Sequence, residues 1–389
     1  MRKSRFITFL SVFIFFFCAQ KKGLAFGKDS VYTQDVVVTG SLKELRKDEF
    51  AIPIQIYDAA YFQRQQVTNV QDALRMISGI QSNIDGAGDI EINGQEGSYT
   101  LVMLDGVPIS GGNATVYAIS GIPLSIIDRI EVMQGPASTV YGTDAVAGVI
   151  NIITKNVERA PAFFVETGVN SMLESNVEMG FKVKAGNADG LFAVSNYNQS
   201  YKWDLNKDLY MDILLQNRFS FFNKWSVRDR RAKQSSFWMR YTNDRRGSGE
   251  MDWGRKYEGS DFIYGESIKV NRVEAAGNYA IPFVSEKLNL IFSYTWQNQN
   301  SFYGFNRFDS KEQNALVQLV YDKRITAKSD LMAGVGYRMY WYDDNQSGTA
   351  ADTSFNAPNR PFINHMPSFF LQDMMHLNAQ NELLAGVRF

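Results

Sequence analysis

From about residue 160 onward, hydrophobic and polar residues alternate with a period of two. Leu288, Leu290, Phe292, Tyr294 and Trp296 alternate with Asn289, Ser293, Thr295 and Gln297. Leu331, Ala333, Val335, Tyr337, Met339 and Trp341 alternate with Gly334, Gly336, Arg338 and Tyr340. Val177, Met179, Phe181 and Val183 alternate with Glu178, Gly180, Lys182 and Lys184, and Phe237, Met239 and Tyr241 flank Trp238 and Arg240. Successive side chains of a strand point to opposite faces, so each segment predicts a strand with one apolar and one polar face. A soluble sandwich rarely sustains inward charges such as Lys182 and Lys184. A membrane barrel with a polar lumen does, with strands of about 10 residues and aromatic girdles. Connections alternate in length. Short ones fall at 187–190, 285–287 and 327–329, and long polar ones at 243–261, 298–311 and 343–366. The count is about 11 antiparallel strands. An odd count ends on the wrong side of the membrane if the first strand rises outward, since a closed barrel brings its C-terminus back after an even number. The expectation is an incomplete barrel over 160–389, its first and last strands unpaired, and a chain that is the N-terminal part of a longer one.

The first 157 residues follow other patterns. Arg2, Lys3 and Arg5 precede an apolar run from Phe6 to Ala19, and Ala25-Phe26-Gly27 supplies a small-residue cleavage site. This predicts a signal peptide over 1–27 and export. Cys18 follows the bulky Phe17, which disfavours lipoprotein processing. Residues 28–48 are polar around a short β-prone run, Asp35-Val36-Val37-Val38-Thr39-Gly40. Such a run can add to the edge of another protein's sheet. From 49 to 157 the chain reads as a compact α+β unit. Ile52, Ile54 and Ile56 alternate as a strand. Thr68 and Gln71 form a capping box ahead of Val70, Ala73, Leu74 and Ile77 on one helical face, closed by Gly79. Strands follow at 90–92 and 99–104, with an Asp105-Gly106 turn. Strands at 130–133 and 148–154 flank a stretch of small residues in which Pro136 opens a helical turn that Gly142 ends.

Composition narrows the chemistry. Net charge is −1, so no global field points to nucleic acid. The chain has two histidines and one cysteine, Cys18. That argues against a histidine-based metal or triad enzyme and against a disulfide framework. Asp343, Asn345 and Ser347 precede Gly348 in the manner of a calcium loop, but no Glu stands at the twelfth position. No catalytic residue, metal or cofactor is expected.

Within the α+β unit, Gln134-Gly135-Pro136-Ala137-Ser138-Thr139-Val140-Tyr141-Gly142 and Gly148-Val149-Ile150-Asn151-Ile152-Ile153-Thr154 stand in order after Tyr99–Val107, YTLVMLDGV. The segment resembles the plug domain of TonB-dependent outer-membrane receptors, with Gln134, Gly135, Pro136, Ser138, Tyr141 and Gly142 on its central motif. The resemblance implies a plug inside an antiparallel transmembrane β-barrel in the bacterial outer membrane, in contact with its lipid. It makes Asp35–Gly40 a TonB box for a TonB-type energy-transducing partner. The imported ligand would be a ferric siderophore or other iron chelate, with haem or cobalamin as alternatives and a non-transporting scaffold or adhesin as the reading from another class. It puts ligand contacts on plug apical loops, at Asp85, Gly86, Asn113 and Tyr117. Two departures stand out. Arginines that the family pairs with wall carboxylates are replaced here by Gln134 and Asn93. The expectation is a plug held by neutral hydrogen bonds rather than by an ionic lock.

Overall fold

The computed structural model describes residues 37–41, 43–46, 54–82, 90–95, 97–109, 114–135, 141–228, 234–260, 262–282, 287–326, 328–344, 359, 361–378 and 381–389. The expected signal peptide, and Asp35, Val36, Asp85, Gly86, Asn113, Pro136 and Ser138, lie outside the described residues.

The chain begins with a hairpin of β1 (Val37–Ser41) and β2 (Lys43–Arg46). The α+β unit follows as β3 (Ile54–Asp58), α1 (Ala59–Arg64), α2 (Val70–Arg75), β4 (Ile80–Ser82), β5 (Ile90–Ile92), β6 (Thr100–Leu104), β7 (Val107–Pro108), α3 (Ala114–Ser120), β8 (Ile127–Gln134) and β9 (Gly148–Thr154). Its main sheet has the order β3-β8-β9-β6-β7, with β6 and β9 parallel and the other pairs antiparallel. β6 and β9 are buried along their whole length because both faces are covered. Val102, Leu104, Ile150 and Ile152 pack with Val70, Leu74, Ala118 and Ile119 of the helices. Leu101, Met103 and Val149 face a second cluster with Ile54 and Met133.

The start of α2 differs from expectation. Asn69, not Thr68, is the N-cap, and its side chain accepts from the Asp72 backbone N–H at 2.9 Å. An Asn side-chain carbonyl reaches N3 as well as a Ser or Thr hydroxyl does. The helix covers only two turns. Ile77 is buried from the following turn, which Gly79 completes at φ +82°.

The second sheet has eleven strands, each antiparallel to the next: β10 (Phe163–Val169), β11 (Ser175–Ala185), β12 (Ala188–Gln199), β13 (Leu215–Arg228), β14 (Gln234–Gly249), β15 (Gly265–Ala280), β16 (Lys287–Tyr303), β17 (Asn306–Thr326), β18 (Ser329–Asp343), β19 (Phe362–His376) and β20 (Glu382–Arg388). The order is linear. Among the described residues β10 and β20 each pair on one side only, so the wall is open.

Register fixes the two faces. Tyr241, Val273, Trp296, Gln313 and Trp341 share one outward row, and Tyr279, Leu290, Leu319, Val335 and Phe369 another. Trp296 to Leu288 spans roughly 26 Å of strand. With tilt, that suits an apolar band about 25 Å tall between aromatic girdles. Inward residues are polar or pack on the plug. Leu191, Phe222, Trp238, Ile291 and Phe370 join the plug's own core.

The strands run longer than expected, with β17 reaching 21 residues. The polar segment 298–311, read as a loop, is a continuation of β16 and β17 across a two-residue turn at Gly304-Phe305. Likewise β14 continues to Gly249. Above an apolar band the outward face turns polar while the inward face stays polar, with Gln299 and Ser301 buried, so alternation of hydrophobicity vanishes while pairing continues.

Candidate functional site

The plug meets the wall through its turns and strand ends. Asp105 and Gly106 have φ of +51° and +77°, the tight turn that joins β6 to β7. The Asp105 carboxylate accepts from the Thr154 N–H and hydroxyl, both at 2.8 Å, and from Lys224 Nζ of β13 at 2.9 Å. Lys224 also donates to the Thr154 hydroxyl at 2.7 Å. Asn151 supports the same turn. Its Oδ1 accepts from the Gly106 N–H at 3.0 Å, and its Nδ2 donates to buried Glu131 at 3.1 Å. The polar members of the 148–154 motif thus hold the turn that carries Asp105. Tyr141 packs between both plug clusters, and its phenol pKa is raised by burial and further by Glu131. A cavity of about 590 Å³ lies at the short-turn end of β13–β16, bordered by Asp105, Lys224, Gln234, Asn278 and Asn289.

The expectation of a neutral lock is overturned. Besides Asp105–Lys224, plug-side Glu158 pairs with Arg228 at 2.6 Å, and Asp144 pairs with Arg338 of β18. The carboxylates stand on the plug side and the cations on the wall. Gln134 and Asn93 take no part in these pairs. The Gln134 side chain donates to the Ser78 carbonyl at 2.9 Å, and Asn93 sits in a left-handed turn whose N–H donates to the Gly79 carbonyl at 2.8 Å. A Cβ on Gly79 would stand 2.8 Å from Asn93 Oδ1 and 2.9 Å from Gln134 Nε2. Wall carboxylates also grip the plug, through its backbone. Glu178 of β11 accepts from the N–H groups of Leu124 and Ser125 at 3.1 and 2.7 Å.

At the long-loop end, Tyr117 of α3 is buried against Ile268 and Val270, with the Arg246 guanidinium 4.9 Å from its ring centroid. Burial pushes its phenol up to about 12, against the opposing pull of Arg246. The ring that was expected to face a ligand is therefore already covered. Behind it, Glu274 accepts from Arg240 and Arg272, and Arg272 also donates to the Ile109 carbonyl at 2.9 Å. Val37–Gly40 of the expected TonB box form most of β1, paired to β2.

The sequence reading missed Lys224, Arg228, Arg240, Arg272, Glu274 and Arg338. A usable signal existed for five of them. Lys224, Arg240, Arg272 and Glu274 occupy inward positions of β13–β15, and Arg338 one of β18, as Lys182 does on β11.

Residues 46–149 match the TonB-dependent Receptor Plug Domain family. The whole architecture is similar to three solved receptors. The siderophore receptor PirA from Acinetobacter baumannii shares 15% identity at a TM-score of 0.65, with 88% of this chain and 57% of that chain covered. The ferric enterobactin receptor PfeA (Q482A) from Pseudomonas aeruginosa, in complex with enterobactin, shares 17% at 0.62, with 86% and 57% covered. The ferric yersiniabactin uptake receptor FyuA from Yersinia pestis shares 15% at 0.65, with 87% and 56% covered. The chain thus spans a little over half the length of these structures, and at such identities the likeness establishes the fold. A plug that matches this family's model is thus combined with a barrel-type wall that has the fold of these receptors.

Proposed function

We propose that the protein works in energy-coupled import of a scarce ligand across a bacterial outer membrane, and that the ligand is a ferric siderophore or similar iron chelate. It is read as a receptor, not an enzyme. In this reading residues 1–27 are a signal peptide, 28–48 carry the TonB box, 49–157 are the plug and 160–389 are the first part of the barrel. Further strands complete the wall. The ligand binds at the long-loop end, and a TonB-type partner then pulls on Asp35–Gly40 to move the plug.

The observation that carries the reading is the plug seated on an inward polar wall by ion pairs, that of Asp105 with Lys224 buried. A static scaffold gains nothing from a separate plug of this kind. Siderophore recognition by the similar structures supports the choice of an iron chelate over haem or cobalamin. The test is a fluorescence titration of the receptor, as its own gene expresses it, with ferric enterobactin, ferric citrate, haem and cyanocobalamin. A ferric chelate is expected to bind about 100-fold or more tightly than haem or cobalamin, a difference of roughly 2.7 kcal/mol. Tightest binding of haem or cobalamin would replace the iron-chelate reading.

A further inference from the structure

On the long-loop side of the outward row of Tyr241, Val273 and Trp296, the outer face of the wall changes chemistry. The next outward row reads Asn243, Asn271, Asn298 and Lys311, and the one after it Arg245, Lys269, Asn300 and Asp309. These rows lie roughly 7 and 13 Å farther along the strands, which with strand tilt is headgroup depth. Asn243 donates to the Asn271 side chain at 2.8 Å, and the Tyr241 hydroxyl reaches the same oxygen at 3.2 Å. On β11–β13 the two rows carry Val177, Asn196 and Phe219, then Ser175, Asn198 and Asn217, with no charge.

Residues 250–260, which follow β14, fold down on this outer face. Trp253 is buried over Gly247 and Gly265, two outward positions where a Cβ would collide with the indole. Glu258 pairs with Lys269 at 2.8 Å and accepts from the Ser267 hydroxyl. Gly259 lies against the Phe302 ring, and Phe302 is outward too. Lys202 of the neighbouring segment donates to the Met251 carbonyl at 2.7 Å and to that of Trp253. Arg255 and Lys256 are thereby held, exposed, beside the amide rows. Acids stand here as well, and most are engaged. Glu258 and Asp309 are taken up by Lys269 and Arg307, and Asp343, across from Lys311, accepts from Asn359 at 2.8 Å. Glu250 accepts from the Tyr264 N–H, and Asp204, Asp208 and Asp212 from backbone N–H groups of their own segment. Asp252 is exposed on the same loop. Arg245, Arg255, Lys256 and Lys311 are exposed and have no carboxylate at ion-pair distance among the described residues.

We propose that this outer ledge of β14–β17, completed by the folded-down loop 250–260, is a docking site for a phosphorylated glycolipid of the outer leaflet. Cations at membrane-surface height gain from anionic headgroups, and guanidinium forks suit phosphate. Arg245, Arg255, Lys256 and Lys311 take the phosphates. The amides of Asn243, Asn271 and Asn298 take sugar hydroxyls, which a bare run of cations would not recognise. Trp253 and the Glu258–Lys269 pair hold the loop where its two cations share the depth of the strand cations. The site is independent of the imported ligand, since it lies on the outside of the wall.

Lipid binding tests the site without uptake or TonB. The probe is fluorescent lipid A with both phosphates, titrated with the receptor as its own gene expresses it, in neutral detergent. Its monophosphoryl form is expected to bind more weakly, and phosphatidylcholine weakest of all. Arg255→Gln with Lys256→Gln should weaken binding of the bisphosphorylated lipid roughly ten-fold or more. Arg245→Gln with Lys311→Gln should do the same from the strands, so a rearranged loop in the first variant does not decide the matter. Lys184→Gln with Lys328→Gln removes as much charge at the short-turn end and should change nothing. Undiminished binding in both ledge variants, an equal loss in the short-turn variant, or equal binding of phosphatidylcholine would overturn the proposal. Displacement of the lipid by excess inorganic phosphate would replace it with a free-anion site. A receptor that binds the lipid here but imports nothing loses the import reading alone, and one that imports a ferric chelate without this binding loses the ledge alone.

Discussion

Lys224 and Arg228 lie four residues apart on β13, and both reach plug-side carboxylates. Their surroundings make them unequal. Lys224 and Asp105 are 10% and 9% exposed, whereas Arg228 and Glu158 are 54% and 34% exposed. Lys224→Met leaves Asp105 buried with only Thr154 for company, which should destabilise the seated plug by about 3–5 kcal/mol. Arg228→Met removes a solvent-screened pair and should cost no more than about 1 kcal/mol. Calorimetric melting of the two variants checks the contrast, and equal small losses would mean that Thr154 alone holds Asp105. Gly121 gives a steric counterpart. Gly121→Val drives a side chain into Thr242, and overpacking of this sort costs about 1–3 kcal/mol. Adding Thr242→Ala should restore much of it in denaturant melts. A Gly121→Val loss unaffected by Thr242→Ala would place the strain within the plug.

At the scale of elements, β1 holds the residues that a TonB partner would take. One edge of β1 pairs with β2, through Val37↔Arg46 and Val38↔Leu45. Val37→Pro removes a ladder donor and blocks extension of a sheet. Transport by a receptor so altered should fail while ligand binding at the surface persists. Loss of both would indicate misfolding, and normal transport would remove the TonB-box assignment. The elements differ in how far the sequence reveals them. Wall strands are legible where lipid meets one face, because Leu288, Leu290 and Phe292 must alternate with polar neighbours. Their extensions through 298–311 are not, because Asn298, Gln299 and Asn300 are polar on both faces and only pairing reveals a strand. The plug is legible through Asp105-Gly106 and the 148–154 run, whose side chains hold one another. Its seating is not. Asp105–Lys224 and Asp144–Arg338 join residues more than a hundred positions apart. Which inward cation meets which plug acid depends on a register that alternation alone does not supply. The replacement of arginine by Gln134 and Asn93 is visible in the sequence, but the inverted polarity of the lock is visible only in the fold.

The molecule as a whole is a plug against an open wall of eleven strands. Unpaired backbone along β10 and β20 costs several kcal/mol per group in hydrocarbon, and such edges are templates for aggregation. The 389-residue chain expressed alone is expected to give no heat-modifiable band in outer-membrane fractions. A heat-modifiable band at this length would mean that the sheet closes by itself. Energy-coupled import remains the central claim, and uptake of a radiolabelled ferric siderophore with and without a protonophore tests it most directly in cells that express the receptor from its own gene. The account predicts accumulation in energised cells, and a fall to the surface-bound amount when the protonophore is added, with binding unchanged. Equal accumulation in both conditions, or none in either despite tight binding, would contradict it.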